Sequence, residues 1–365
     1  MTVWAQMTTT DLRSTGLPST LDEVRSHLIA CLGADGLRRG RRRLGYKAAT
    51  VVSGFVGSYM LVMLGRSSPV LVALGVAGLM AVFYASIAAV MHDANHGALS
   101  TNERRSRIVG YWLDVFGSSS MVWCFKHNGV HHDFANVADT DTDIQQAPFL
   151  RLSPHQRRLW WHRFQHLYAP VLYGFITLQS FVADFVNLIR GKVKNQRMPV
   201  RPTAAQVVMF LLGKAVFITW AVAIPVAVFG PWALLVTIGA SWCVGLALAL
   251  TVQIAHAVDN VEQFADPSAT ESGFVEFQAQ VTADVTTRGI RGRIVRWMTG
   301  GLDLQVVHHF APSLPHTVYH QLRPHVEALC AAHGVRYRSH PSVRAAIASH
   351  FRLLRDLGRP VVAPA

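Results

Sequence analysis

Four long apolar runs divide the chain, and short polar turns separate them in pairs. The runs cover residues 48–64, 69–90, 204–229 and 231–255. Each is close to the ~20 residues that a helix needs to cross a bilayer core of about 30 Å. The segment 65–68 separates the first two runs, and the third and fourth meet at Gly230 and Pro231. The pattern predicts two helical hairpins in a membrane rather than the buried core of a soluble protein.

The composition agrees with a membrane protein. Of the 365 residues, 51% are hydrophobic and only 15% are charged, and the mean hydropathy is +0.26. The formal net charge is +13, which beside long apolar runs indicates loops facing anionic lipid and not nucleic acid. The cysteines stand far apart with no CxxC motif, so they are expected to be reduced and structural. They are Cys31, Cys124, Cys243 and Cys330.

Basic residues predict the orientation of the hairpins. Basic clusters lie directly before the first and third runs, at residues 37–47 and 189–201, whereas the two hairpin turns contain Arg66 alone. By the positive-inside rule, both clusters are cytoplasmic. Both termini and the segment between the hairpins are then cytoplasmic in a multi-pass protein of the cell membrane. We find no cleavable signal before the first run; Thr20 and Glu23 are instead spaced as a capping box.

Eight histidines cluster on the side of the membrane that the arginines predict to be cytoplasmic. They are His92, His96, His127, His131, His132, His256, His308 and His309. Histidines four residues apart share a helix face and can bind one ion, whereas adjacent histidines point about 100° apart. Because a tetrahedral zinc takes only four ligands, the number favours a dinuclear site. On chemistry alone, both iron and zinc remain open.

Carboxylates follow the same histidines. A histidine that binds a metal usually donates its second ring N–H to a carboxylate or carbonyl. The candidate partners are Asp93, Asp133, Asp139, Asp141, Asp143 and Asp259. Gln305 lies one turn before the last histidine pair, where it is able to orient a ligand or a bound water.

Other polar and aromatic positions carry weaker expectations. The segment 160–166 looks like an aromatic belt at the membrane interface, so His162 and His166 are less favoured as ligands, as are His155, His316 and His320. Lys214 lies inside the third run, where it either snorkels to the surface or meets a polar substrate head; we favour snorkelling. Weak candidates for the substrate-binding wall are Trp123, Phe125, Lys214 and Trp242.

Three histidine motifs, threaded through two membrane hairpins, resemble those of the membrane fatty acid desaturase superfamily. They read HDANH (92–96), HNGVHH (127–132) and QVVHH (305–309). The glutamine-led third motif resembles the front-end and linoleoyl-CoA desaturase-like branch, and the resemblance covers about residues 48–340. It implies two irons bound by the eight histidines, with His256 as the ligand after the last span. It also implies that O2 and two electrons drive the removal of two hydrogens from an acyl chain.

The chain departs from the family pattern in two ways. Val307 stands where family members commonly have an acid, and "HHFAPSLPH" (308–316) is only loosely similar to the usual continuation. These departures put the substrate in doubt more than the metal. We also find no fused cytochrome b5 module, so the electrons are expected to come from a separate ferredoxin with its reductase.

The sequence therefore predicts an all-α integral membrane protein with four transmembrane helices and a helical cytoplasmic cap that holds a dinuclear metal site. Its predicted parts are an N-terminal helical segment (1–47), the desaturase domain (48–340) and a C-terminal helical tail (341–365). The predicted function is desaturation of a fatty acyl chain linked to CoA, a carrier protein or a lipid. A related hydroxylase or acetylenase, or a non-enzymatic membrane protein that binds metal or haem, is the alternative.

Overall fold

Helices make up most of the computed structural model, which describes residues 17–197 and 202–360. In chain order they are α1 (Leu21–Leu64), α2 (Pro69–Ala85), α3 (His92–Asn95), α4 (Glu103–Gly110), α5 (Trp112–Val115), α6 (Ser120–Lys126), α7 (His132–Phe134), α8 (Gln165–Gly174), α9 (Ile176–Arg190), α10 (Ala204–Ile218), α11 (Ile224–Phe229), α12 (Ala233–His256), α13 (Phe274–Val281), α14 (Gly289–Thr299), α15 (Gln305–Phe310), α16 (Tyr319–Ala332) and α17 (Val343–Leu357). The strands are two residues long: β1 (Lys192–Val193) pairs with β2 (Gln196–Arg197), and β3 (Asp284–Val285) with β4 (Ser339–His340).

Four helical segments are long and apolar enough to cross a membrane. They are Leu21–Leu64, Pro69–Asn95, Ala204–Phe229 and Ala233–His256. Short turns join the first to the second and the third to the fourth, and Ser68 caps α2 by accepting a hydrogen bond from the backbone N–H of Leu71. α8 and α9 pack along the spans, against α10 and α12. The predicted all-α membrane fold with two hairpins and a helical cap is confirmed.

The first span is longer than the sequence indicated. α1 runs for 44 residues, and only Gly33, with φ 70, departs from helical geometry inside it. Gly33 marks a kink between two helical parts, and the part after it carries the basic cluster and continues into the first span; residues 1–16 of the predicted N-terminal segment lie outside the described residues. The capping box is present, since Thr20 accepts from the backbone N–H of Glu23 and the Glu23 carboxylate accepts from that of Thr20.

A bent pair of helices lies between the two hairpins. The segment from Trp160 to Gly174 is bent by 71° relative to α9, and together they are long and apolar enough to form a broken span or a re-entrant loop. Large apolar side chains on this pair are exposed, among them Trp160, Phe164, Leu167 and Phe175. Exposed aromatic residues of this kind suit the boundary between lipid and water, as the sequence indicated.

Two π-helical turns adjoin the histidine segments. One covers Ser86–Met91 and leads directly into His92, and the other is His127–His131 itself. A π-turn inserts an extra residue into the helical repeat and so rotates the side chains that follow. These turns set the faces from which the first two histidine motifs project.

Lys214 departs from the expectation of snorkelling. Its ammonium group donates to Asp184 Oδ2 at 2.8 Å and to the Gly117 carbonyl at 2.6 Å, and its side chain is only 4% exposed. A buried cation needs a partner of this kind because an unpaired charge in an apolar region is costly. Lys214 therefore ties α10 to α9 and to the loop before α6.

We predict that a thiol label on Ser67→Cys, in the turn between α1 and α2, reacts from outside the cell. Labels on Arg39→Cys and Asn195→Cys should react only from the cytoplasm, because basic segments stay inside. All three positions are exposed. The measurement is labelling of intact and lysed cells with a membrane-impermeant maleimide, after replacement of the native cysteines. Reaction of Asn195→Cys in intact cells would contradict the topology.

Candidate metal centre

The histidine motifs, distant in sequence, meet at one place in the fold. His92 and His96 begin and follow α3, His127 and His131 bound the second π-turn, and His256 ends α12. His132 begins α7, and α15 carries His308 and His309. All eight rings are buried except that of His96, which is half-buried.

The rings form two adjacent groups. In the first, one ring nitrogen each of His92, His96, His127 and His308 lies within 4.8 Å of the others, and in the second the same holds for His131, His256 and His309. His132 belongs beside the first group, because its Nε2 is 3.3 Å from His127 Nε2 and 3.1 Å from His308 Nε2. Its ring also lies 4.4 Å from that of His309, centroid to centroid, so the two groups are in contact.

Adjacent histidines separate between the two groups. The planes of His308 and His309 are 88° apart, and the planes of His131 and His132 are 75° apart. His308 joins the first group and His309 the second, as the angular spacing of helical neighbours requires. A short helix can in this way supply both groups from consecutive positions.

Hydrogen bonds to Nδ1 orient four of the rings. His131 Nδ1 lies 3.2 Å from Asp141 Oδ1, and His256 Nδ1 lies 3.1 Å from the Val281 carbonyl oxygen. His309 Nδ1 is 2.8 Å from Gln278 Oε1, and His308 Nδ1 is 3.0 Å from the Tyr319 hydroxyl. A carboxylate or carbonyl acceptor fixes the tautomer with the proton on Nδ1, which leaves the Nε2 lone pair free to bind a metal.

Several ring nitrogens have no protein partner, although they are buried. Within the described residues, no hydrogen bond reaches His96 Nε2, His131 Nε2 or His309 Nε2, nor Nδ1 of His92 and His132. Buried polar atoms are almost always paired, so such a cluster calls for another partner. A donor set of imidazoles suits iron, zinc, copper or nickel. The residues present therefore fit a metal centre.

The electrostatics keep most of these rings neutral. Burial, followed by repulsion from neighbouring imidazoles, holds the pKa of His96, His127, His132, His308 and His309 well below the usual range. His131 differs: burial opposes its charged form, but Asp141 and Asp143 outweigh burial and raise its pKa. Neutral imidazole is the form that binds a metal, so low pKa values favour binding at neutral pH.

Besides Asp141, two more of the predicted acidic partners lie at the histidines. Asp93 Oδ1 is 3.7 Å from His92 Nδ1, while its Oδ2 accepts from both the backbone N–H and Nδ1 of His316. Asp143 Oδ2 is 3.7 Å from His131 Nδ1. Burial raises the pKa of Asp143, but Lys126, 2.7 Å away, and His131 outweigh it and set the pKa to about 2.

The other predicted polar partners differ in whether they reach the histidines. Asp133 and Asp139 are exposed. Asp259 accepts from Ser349 and Arg352 on α17, so the structure places it in a different contact from the one expected. Gln305 does reach the site, since its Nε2 is 3.1 Å from His256 Nε2.

The less favoured histidines lie outside the two groups. His155 and His320 are exposed, and His162 is held by the Pro148 carbonyl and the backbone N–H of Leu159. His166 is half-buried. His316 is buried and bonded to Asp93, and Lys47 contacts its other ring nitrogen at 3.0 Å. His316 therefore supports His92 indirectly, because it holds Asp93, which lies beside His92.

A cavity of about 250 Å³ borders the histidines. His92, His127, His131 and Gln305 form one edge, and apolar side chains such as Ile87, Met91 and Leu248 form much of the wall. Polar side chains line another part, including Gln146, Asn187 and Lys194.

Of the four weak candidates for the substrate-binding wall, one lines the cavity and three do not. Trp123 lines the cavity and stacks on His127 with ring centroids 4.3 Å apart. Phe125 is not among the lining residues, and Trp242 donates to the Val171 carbonyl and packs on Gly174. Lys214 reaches the wall only indirectly, through its ion pair with Asp184.

Sequence reasoning missed three side chains that hold the site together. Gln278 on α13 contacts His309 and also donates to the His132 carbonyl at 2.7 Å. Asn136 donates to the His256 carbonyl at 2.7 Å, and Tyr319 contacts His308. None of the three stands in a motif with the histidine it contacts, so spacing along the chain carried no signal for them.

Together, these features define a helical membrane protein whose buried histidines fit a metal centre, next to a cavity with a largely apolar wall. A family model described as "Fatty acid desaturase" matches residues 67–341. The chain belongs to the fatty acid desaturase family, and its similarity to front-end desaturases agrees with the glutamine-led third motif.

Three relatives illustrate the similarity. The chain is 33% identical over 280 residues to an sn-1 linoleoyl-lipid 6-desaturase of Synechocystis, covering 74% of this chain and 76% of the relative. It is 31% identical over 323 residues to an acyl-lipid (8-3)-desaturase of Physcomitrium patens, covering 86% and 66%. It is 30% identical over 280 residues to a probable Delta(5) fatty acid desaturase C of Dictyostelium discoideum, covering 74% and 60%. The matches to the last two span less than two thirds of those relatives.

We predict that Asp141→Asn lowers metal affinity about 10- to 100-fold, the usual effect of losing a partner that orients a ligand. Asp141 accepts from His131, and also from the backbone N–H groups of Asn136 and Asp143. The measurement is metal content per chain, by mass spectrometry, of protein purified without chelator. Asp139→Asn is the matched control because Asp139 is exposed. Equal metal content in both variants would contradict the role of Asp141.

Proposed function

We propose that this chain is a front-end acyl desaturase that uses two irons, O2 and two electrons to introduce a double bond into an acyl chain. The observation that carries the proposal is the pair of adjacent imidazole groups at the edge of a cavity with apolar walls. Family membership supports the same reaction. The proposed site lies on the cytoplasmic side, as the basic segments indicate.

We assign the ligands by group. His92, His96, His127 and His308, with His132 beside them, would hold one ion, and His131, His256 and His309 would hold the other. Bound iron would supply the capacity to activate O2, which protein side chains lack. The contribution of the chain is to fix the rings through Asp141, Gln278 and Tyr319 and to keep water away from the reacting carbons.

The net reaction balances with the expected co-substrates. Two C–H bonds of the acyl chain break and one C=C bond forms, which yields two electrons and two protons. Two more electrons come from a donor and two more protons from solvent. O2 accepts all four electrons and leaves as two molecules of water.

The cavity supports an apolar substrate. Hydrocarbon is stabilised by about 25 cal/mol for each Å² that leaves water, so the apolar wall favours an acyl chain over a polar ligand. Relatives are named for acyl-lipid and linoleoyl-lipid substrates, and we propose a lipid-linked acyl chain here. Its polar end would lie near Gln146, Asn187 and Lys194.

We propose that a separate ferredoxin with its reductase supplies the electrons. A net charge of +13 supports association with an acidic donor, because complementary charge accelerates encounter.

The proposed activity predicts new unsaturated acyl products and two irons per chain. Expression in a host that lacks the product, followed by profiling of total acyl chains, tests the reaction, and Mössbauer spectroscopy of purified protein tests the metal. His309→Ala should abolish the product and lower the iron content, because its ring nitrogen belongs to the second group and no neighbour replaces it.

His155→Ala is the control, since His155 is exposed and its contact is the Gln263 carbonyl. It should retain product and iron at equal membrane levels. Full activity of His309→Ala, or zinc alone in an active sample, would refute the proposal.

An aromatic wall packs behind residues that line the cavity, and we expect it to limit the length of the acyl chain. Phe83 and Phe116 stack with centroids 4.7 Å apart and pack with Val244 against Ile87 and Leu248, which line the cavity. Phe83 also faces a second apolar cavity of about 100 Å³ between the two hairpins. The wall therefore lies between the two cavities.

We predict that Phe83→Ala joins the two cavities and shifts the products toward longer acyl chains. Loss of a buried Phe side chain costs about 3–5 kcal/mol, so the measurement is the distribution of product lengths and not their amount, with Phe83→Val as a milder variant. Phe229→Ala is the control, because Phe229 lines only the second cavity. If active Phe83 variants give an unchanged distribution of product lengths, the aromatic wall does not determine the length of the acyl chain.

A further inference from the structure

α14, which lies between the fourth span and the third histidine motif, has an exposed apolar stripe. Ile290, Ile294 and Trp297 are 67%, 58% and 42% exposed. Their spacing of four and three residues places them on one face, about 60° wide at 100° per residue. Gly292 and Thr299, on the opposite face, are buried. The exposed stripe is therefore a feature of one helix face and not of a frayed segment.

Packing places this helix at the level of the membrane spans. Met298, near its end, packs against a buried cluster of Val51 of α1, Ala85 of α2 and Val90 in the same span. These three residues belong to the apolar runs that cross the membrane. The exposed stripe on α14 consequently lies beside the hairpin, near the end that carries the histidines, where lipid surrounds the protein.

Arginines flank the apolar stripe on both sides. Arg291 and Arg293 are exposed, as is Arg288 just before the helix. Within the described residues, none of the three takes part in an ion pair, and the segment 285–302 contains no acidic residue. An apolar stripe between arginines is the pattern of a helix that lies in a membrane surface, with guanidinium groups at the lipid phosphates.

We propose that α14 is an interfacial helix that binds the headgroups of anionic lipids. Ile290, Ile294 and Trp297 lie at the boundary of headgroups and acyl chains, and Arg288, Arg291 and Arg293 bind phosphate. An acidic partner protein would account for the arginines, but it would not account for a stripe of two isoleucines and a tryptophan level with the spans. Lipid accounts for both features.

The interfacial helix also holds the third histidine segment. Arg296 pairs with Asp303 at 3.3 Å, and Lys47 of α1 donates to the Trp297 carbonyl. Asp303 is two residues before Gln305, and both Leu302 and Gln305 line the cavity. Lipid that seats α14 therefore also fixes the segment that leads into α15.

The test is the depth of a nitroxide label on Ile294→Cys in the full-length protein, with the four native cysteines replaced by alanine. Nanodiscs of phosphatidylcholine alone are compared with nanodiscs that also contain phosphatidylglycerol. Accessibility to oxygen, which concentrates in lipid, is measured against accessibility to a water-soluble nickel chelate. We expect the label to be protected from nickel in the anionic bilayer and less protected in the neutral one.

Arg291→Gln combined with Arg293→Gln should lower the equilibrium constant for insertion about 25-fold, since each basic residue at an anionic surface contributes about fivefold. Arg336→Gln combined with Arg344→Gln is the matched control, because both residues are exposed on the cap and the change in net charge is the same. This pair should leave the depth unchanged.

Several outcomes would overturn the proposal. One is a label that nickel reaches equally in both bilayers, and another is an equal effect of the two arginine pairs. Protection that arises only when an acidic protein is added would assign α14 to a protein partner. None of these readouts requires turnover, so a failure of the lipid proposal is separate from a failure of the proposed reaction.

Discussion

Burial of eight imidazoles within reach of one another is the constraint on which the rest of the structure depends. Five of their ring nitrogens have no hydrogen-bond partner among the described residues. At about 1–3 kcal/mol for each unsatisfied buried group, the cost is on the order of 5–15 kcal/mol, which equals the whole stability of a typical domain. Metal coordination would offset this cost. Metal binding would therefore be coupled to folding of the cap. The four segments that carry the histidines can bind metal only when they are folded against one another.

The surrounding side chains make that burial specific. Nδ1 of His131 faces a carboxylate, that of His309 an amide, that of His256 a backbone carbonyl and that of His308 a hydroxyl. Each contact fixes a ring orientation that helix geometry alone leaves free. Gln278 performs two tasks, since its Oε1 contacts His309 Nδ1 while its Nε2 donates to the His132 carbonyl. These contacts form a polar layer around the imidazoles.

The membrane spans determine where the polar layer ends. Apolar side chains of the Ser86–Met91 turn and of α12 line the cavity on the side of the bilayer, and the histidine edge begins where the spans reach the cap. Inside the bundle, the ion pair of Lys214 with Asp184 joins α10 to α9. The same ammonium group also donates to the loop before α6. Lipid-facing helices, the cavity wall and the proposed metal site are in this way one continuous packing unit.

The sequence by itself determined the all-α membrane class, the two hairpins and the three histidine motifs, because helix length and the spacing of histidines are local properties. Periodicity also explains why His308 and His309 part into different groups. Only the tertiary structure decided which carboxylates reach the rings: Asp141 and Asp259 look alike in sequence, yet one contacts His131 and the other contacts α17. Gln278, Asn136 and Tyr319 carried no signal, and Lys214 turned inward to an aspartate 30 residues away. Contacts between distant segments depend on how helices pack, and local patterns along a single chain do not encode that packing directly.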